Sequence, residues 1–185
     1  MNYFRRFLPA YQNLKELIKN EISDTPKLIL VKYNRGFMNY GSHAWDIITY
    51  LMRQEISANN IIVHSRENFR DSDSILTLDI ESQNTKIRFQ PICVDFPVFQ
   101  IEFFYQNHEI NLSEYGNTIS VTKYINDSSS STGKKVETIF LEKNALKNYM
   151  KYAMEKQLSL ANNGKDNFLE SVNMNKIMLS INNKL

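Results

Sequence analysis

The chain has 185 residues, 42% of them hydrophobic, 12% aromatic and 23% charged, with 22 Lys and Arg against 20 Asp and Glu and a single cysteine, Cys93. Those proportions describe one ordinary globular domain with appendages, long enough to bury about 70% of its unfolded surface. They exclude an internal disulfide, a Cys-x-x-Cys redox pair and a four-thiolate zinc site, and no apolar run is long enough to cross a membrane as a helix.

The start carries Arg5, Arg6, Lys15 and Lys19 around one acid, Glu16, with Phe4, Phe7 and Leu8 between them. This pattern fits both an organellar transit segment and an ordinary basic arm. No apolar signal core follows, so secretion is not expected and the sequons at Asn111 and Asn126 carry no weight. Tyr11, Leu14, Leu17, Ile18 and Ile22 then predict a helix beginning after Pro9 and stopping at Ser23-Asp24-Thr25-Pro26. Leu28 to Tyr33 (LILVKY) predicts a buried central strand. Ala44, Ile47, Ile48, Leu51 and Met52 keep helical spacing, with Ser42 as the N-cap, and Ile61 to His64 follow as a strand. Strand, helix and strand in that order form a βαβ unit, whose two strands run parallel.

The period then changes to two. Leu76, Leu78 and Ile80, then Ile87 and Phe89, flank Ser82-Gln83-Asn84 and predict an antiparallel hairpin that Pro91 ends. Three more runs predict strands: Phe99 to Tyr105, Ile119 to Ile125, and Val136 to Leu141. Asp127 to Lys135 (DSSSSTGKK) predicts an exposed loop. Leu146, Tyr149, Met150, Ala153 and Met154 predict a last helix ended by Asn162-Asn163-Gly164, followed by a tail that either docks as a helix or frays.

Residues able to do chemistry are sparse. His43, His64 and His108 sit on different elements without metal-ligand spacing, and His43, in a helix's first turn, is held neutral by the helix dipole. Gly133-Lys134 fails as a phosphate loop because Ser128 and Lys135 stand where glycine and a hydroxyl are required. Asp71, Asp73, Asp79 and Glu81 read as solubilising charges, and Cys93, between Ile92 and Val94, as a small buried hydrophobe. No nucleophile and base pair up, so no catalytic residue, metal or cofactor is expected. The aromatic and basic start, Tyr3 to Tyr11, suits RNA or a protein interface and reads as a partner-contacting arm outside the core.

The segments LILVKYNRGFMNYGSHAWDII, NNIIVHSREN and ILTLDIESQNTKIRF together resemble the thioredoxin-like domain shared by two mitochondrial ribosomal proteins, one per subunit, and a small accessory subunit of respiratory complex I. FRRFLPAYQ resembles the arginine pair and aromatic ahead of that domain in the small-subunit member. In that family the last helix follows the hairpin directly, so the β-rich stretch at about 92–141 reads as an insertion.

The expectation is therefore an α/β protein with a thioredoxin-like mixed sheet, a β-rich insertion and a C-terminal helix. Its parts would be an N-terminal arm and helix over 1–26, a domain over 27–161 and a tail over 162–185. The resemblance implies a non-enzymatic constituent of the mitochondrial ribosome, nearer the small-subunit member, in the matrix. It would hold rRNA and neighbouring ribosomal proteins, with no small-molecule substrate. Arg5, Arg6, Arg35, Lys134 and Lys135 are the candidate RNA phosphate contacts. The alternative is a structural accessory subunit of a respiratory complex such as complex I. A small enzyme or an interaction module forms a third class.

Overall fold

The structure, a computed structural model, describes residues 3–52, 60–70, 73–162 and 176–182. Its strands are β1 (Leu28–Tyr33), β2 (Ile61–Arg70), β3 (Asp73–Ser82), β4 (Thr85–Pro91), β5 (Phe99–Phe104), β6 (His108–Ser113), β7 (Thr118–Asn126) and β8 (Lys134–Glu142). The helices are α1 (Pro9–Glu21), α2 (Ser42–Met52) and α3 (Tyr149–Asn162), and 176–182 form a further helical segment.

All eight strands belong to one mixed sheet in the order β2-β3-β4-β1-β5-β6-β7-β8. Only β1 and β4 are parallel neighbours, with Leu28 opposite Lys86 and Tyr33 opposite Pro91; every other pairing is antiparallel. The α/β class, the mixed sheet and the closing helix agree with the sequence. Strands β1 and β2 do run in the same direction, but β3 and β4 lie between them, because the hairpin folds back into the space beside β1. Strand β5 takes the other side of β1, so the stretch beyond Pro91 continues the same sheet. Strand β6 has no counterpart among the predicted runs. Its alternation of His108, Ile110 and Leu112 with Glu109, Asn111 and Ser113 is regular but short.

Alternation decides which face is buried. Ile29, Val31, Tyr33, Leu78, Ile80, Ile87, Phe89, Ile101, Phe103, Ile110 and Val121 point to one face and pack with Tyr11 and Leu14 of α1 and Trp45, Ile48 and Leu51 of α2. Met178 and Ile181 join the same core from the 176–182 segment. The alternate positions are mostly polar outside β1. There Asp79 is buried, with Arg88 donating two bonds to its carboxylate at 2.7 Å and Lys86 and His64 each 3.1 Å away. These bonds, Arg88's first, hold the Asp79 carboxyl far below the usual carboxylate range. Asp79 is thus a buried ionic hub and not a solubilising charge.

Two further expectations fail. Cys93 is exposed, because β4 ends at Pro91 and the chain leaves the sheet before reaching it. The N-terminal arm is in the core: Tyr3, Arg5 and Leu8 are buried, and Pro9 opens α1 at the position where its missing amide hydrogen costs nothing. Asp71 lies outside the described residues, as do 163–175 and 183–185 of the tail.

Candidate functional site

Irregular backbone concentrates at the carboxyl end of β1. Asn34, the first residue after the strand, donates from Nδ2 to Val94 O at 3.0 Å and Phe96 O at 2.6 Å, and its Oδ1 accepts from Val98 N at 2.7 Å. One side chain therefore fixes the connection into β5. Residues Phe37–Gly41 form a π-helical turn that runs directly into α2. Such wide turns recur at functional sites because they rotate the side chains that follow. Glycine is required at Gly41, where a Cβ would press into the Phe37 ring. Ser42 is already helical and its Oγ donates back to Asn39 O at 2.8 Å. It therefore does not act as the N-cap the sequence suggested; the turn itself provides the start of α2.

His43 follows, half-buried, its ring edge-on to Tyr3 with centroids 5.7 Å apart. Burial first, and the Arg5 guanidinium second, push its imidazole down to about 4. The carboxylate one helical turn on, Asp46, is buried and ion-paired with Arg6. His43 is therefore uncharged at neutral pH, with burial as the first cause and the Arg5 cation as the second.

Arg5 is the centre of this end of the molecule. It is buried, its Nη2 donates to Tyr115 O at 2.8 Å, and its guanidinium lies over the rings of Phe4 and Phe99 at 4.8 and 5.0 Å. Tyr11 Oη donates to Gly116 O at 2.8 Å, and burial pushes its hydroxyl up to about 12. The arm, α1, the π-helical turn and the β6–β7 connection thus converge beside α2.

This geometry can be set against known proteins. No family model matches the chain, and no curated protein is similar to it in sequence. Solved structures are similar to it in shape. UDP-N-acetylglucosamine 3-dehydrogenase GnnA from Acidithiobacillus ferrooxidans matches with a TM-score of 0.63 and 14% identity, over 96% of this chain and 58% of that one. An oxidoreductase domain protein from Kribbella flavida gives 0.67 and 9%, over 97% of this chain and 62% of that one. A super-repressor mutant of Gal80p from Saccharomyces cerevisiae gives 0.60 and 13%, over 89% and 53%. The fold is shared with part of each of these chains. This chain spans about three fifths of the length of the first two.

The likeness covers nearly the whole chain, whereas the ribosomal resemblance rested on about a third of it. The reading as a ribosomal or complex I structural subunit is overturned with its partners, rRNA and ribosomal proteins. The expectations of no enzymatic role and no small-molecule substrate fall with it.

The five candidate RNA contacts do not form one face. Arg5 is buried and Arg6 is paired with Asp46. Arg35 is exposed in the turn after β1. Lys134 and Lys135 open β8, four strands from β1, and Lys134 Nζ donates to Asn126 Oδ1 at 2.5 Å. Sequence reasoning missed Tyr40, Asp46, Asp73 and Tyr115. Only Gly116-Asn117 signalled a turn near them, and nothing local signals that Tyr11 and Arg5 reach it.

Dehydrogenases imply a dinucleotide, and the residues here do not fit one. The turn between a parallel strand and its helix is where a diphosphate is cradled, on free amides and glycines spaced G-x-G-x-x-G. In this chain the β1–α2 turn is occupied by a carboxylate. Asp73 Oδ1 accepts from Met38 N at 2.9 Å and Ser74 N at 2.8 Å, and a Cβ on Gly36 would overlap the same carboxylate. The Met38 amide that a diphosphate would use is therefore already taken. Among the described residues, no group of three or more His, Cys, Asp or Glu is placed to hold a metal ion.

Proposed function

We propose that this chain is the substrate-side part of an oxidoreductase of the Gfo/Idh/MocA type, acting on a hydroxyl-bearing small molecule at the carboxyl end of β1. The observation that carries the reading is the match to dehydrogenase chains over nearly the full length of this one. Two features of the site support it. Ligands of open α/β sheets sit outside the carboxyl ends of the strands, and the π-helical turn, the buried ion pair and His43 all lie at that end of β1. His43 is uncharged at neutral pH, so it can accept a hydrogen bond from a substrate hydroxyl. Arg6 holds Asp46 and the arm against α2, fixing the floor below His43.

Binding of hydroxylated probes tests this. UDP-N-acetylglucosamine, simple sugars and linear polyols are titrated into the chain while the His43 ring signals are followed by NMR. At least one probe should shift them and bind at least 10-fold more weakly to His43→Ala. A panel that leaves His43 unmoved overturns the reading. NAD should not bind to the chain alone, given the Asp73 carboxylate in the β1–α2 turn.

A further inference from the structure

Three consecutive residues between β6 and β7 have left-handed backbones: Glu114 at φ 51°, Tyr115 at φ 62° and Gly116 at φ 80°. Two are not glycine, and each costs roughly 1–2 kcal/mol in that conformation. Three long-range bonds hold the turn there. Arg5 Nη2 donates to Tyr115 O at 2.8 Å, Tyr11 Oη to Gly116 O at 2.8 Å, and Tyr115 Oη to Pro97 O at 2.7 Å.

What the strain achieves is the placement of one ring. Tyr115 remains 38% exposed and stands edge-on to Tyr40, centroids 6.4 Å apart at 84°. Tyr40 is in turn set edge-on to Phe99 at 5.6 Å. A side chain wanted only for packing would be buried, and a surface tyrosine with no role would not need three tethers. Next to this pair, Arg35 is exposed, forms no ion pair among the described residues, and lies close enough to the Tyr40 hydroxyl to act on it electrostatically.

We propose that Tyr40, Tyr115 and Arg35 form a recognition surface for a small ligand that combines a ring with an anionic group, the ring lying on the tyrosines and the anion on Arg35. Aromatic faces favour rings by dispersion and quadrupole, and a free guanidinium favours an oxyanion in a paired geometry. The surface belongs to the same end of the sheet as His43, so the proposal rests on that end being the ligand site and adds the chemistry of what it recognises.

The test uses phenyl phosphate, with phenol and inorganic phosphate as its two halves, titrated into the chain and followed by the tyrosine ring signals. Phenyl phosphate should bind at least 10-fold tighter than either half. Arg35→Gln, an exposed substitution that leaves the fold untouched, should lower that affinity about 10-fold and flatten its salt dependence. Tyr115→Asn tolerates the left-handed backbone but gives up the bond to Pro97 O, so it should lower the affinity at least 5-fold with only a small loss of melting temperature. Equal binding of the three probes, or affinity unchanged in both variants, overturns the proposal. If phenyl phosphate binds as described while the hydroxylated panel leaves His43 unmoved, only the oxidoreductase reading falls.

Discussion

Strand β7 joins two connections of opposite character. At one end, the Glu114–Gly116 turn is bonded to Arg5 and Tyr11, more than a hundred residues back along the chain. At the other, the 127–133 loop bonds only to itself and its flanking strand ends: Asp127 accepts from Ser129 N at 2.9 Å and Oγ at 2.6 Å, and Asp127 N donates to Gly133 O at 3.0 Å. Each contains a left-handed glycine. A Cβ on Gly116 would strike the Tyr11 hydroxyl, whereas one on Gly133 would meet nothing within 4 Å. The difference teaches where the fold has been spent on holding a shape. One end of β7 is determined by the tertiary structure, and the other by local chemistry alone.

The sharpest way to break that contrast is the glycine pair. Gly116→Ala should destabilise by about 4 kcal/mol, combining the left-handed penalty with a collision that Tyr11 can relieve only by giving up its buried bond. Chemical denaturation would measure it, and a loss below about 1 kcal/mol would mean that the Tyr11 tether is slack. Acid comes next, and it separates the ends by charge. His43 has a folded value of about 4 against an ordinary 6.5, so the folded state binds fewer protons between those limits. Stability is complete above about pH 6.5 and falls by up to about 3 kcal/mol as the pH drops toward 4. His43→Gln should flatten most of that slope. A residue of it stays with His108, lowered by burial and then by Lys123. Asp79 contributes only below its ordinary range of about 4, where protonation undoes its bonds to Arg88. An unchanged acid profile in His43→Gln would remove the site end from the account. The smallest effect belongs to the outer loop: Gly133→Ala should cost about 1 kcal/mol, the backbone penalty alone.

The same contrast explains what could be read from the residues. The hairpin around Ser82-Gln83-Asn84 and the 127–133 loop were legible because turn residues and period-two flanks are local signals. So was α2, from the spacing of Ala44, Ile47, Ile48 and Leu51. Sheet order was not legible, since nothing near Leu28–Tyr33 announces that β4 and β5 will flank it. Asp79 read as a surface charge because its partner Arg88 lies across the hairpin, and Arg5 read as a free cation because its partners come from β5 and the turn after β6. The candidate site was legible only as single residues. His43 was correctly placed as neutral, but the reason, burial and Arg5, depends on an arm expected to lie outside the core.

The central place of β1 also has a kinetic consequence. Strands β2 to β4, and β5 to β8, each pair with their neighbours in the chain and can zip locally. Strand β1 has no such neighbour, for its partners begin at Thr85 and Phe99, and the closure entropy of both long loops falls on it. The strand made first in the sequence is therefore the last to be locked into the sheet. Pulsed amide exchange during refolding should find the amides of Ile29 and Val31 protected after those of the β3–β4 and β6–β7 ladders. Early protection of β1 would place it in the nucleus instead.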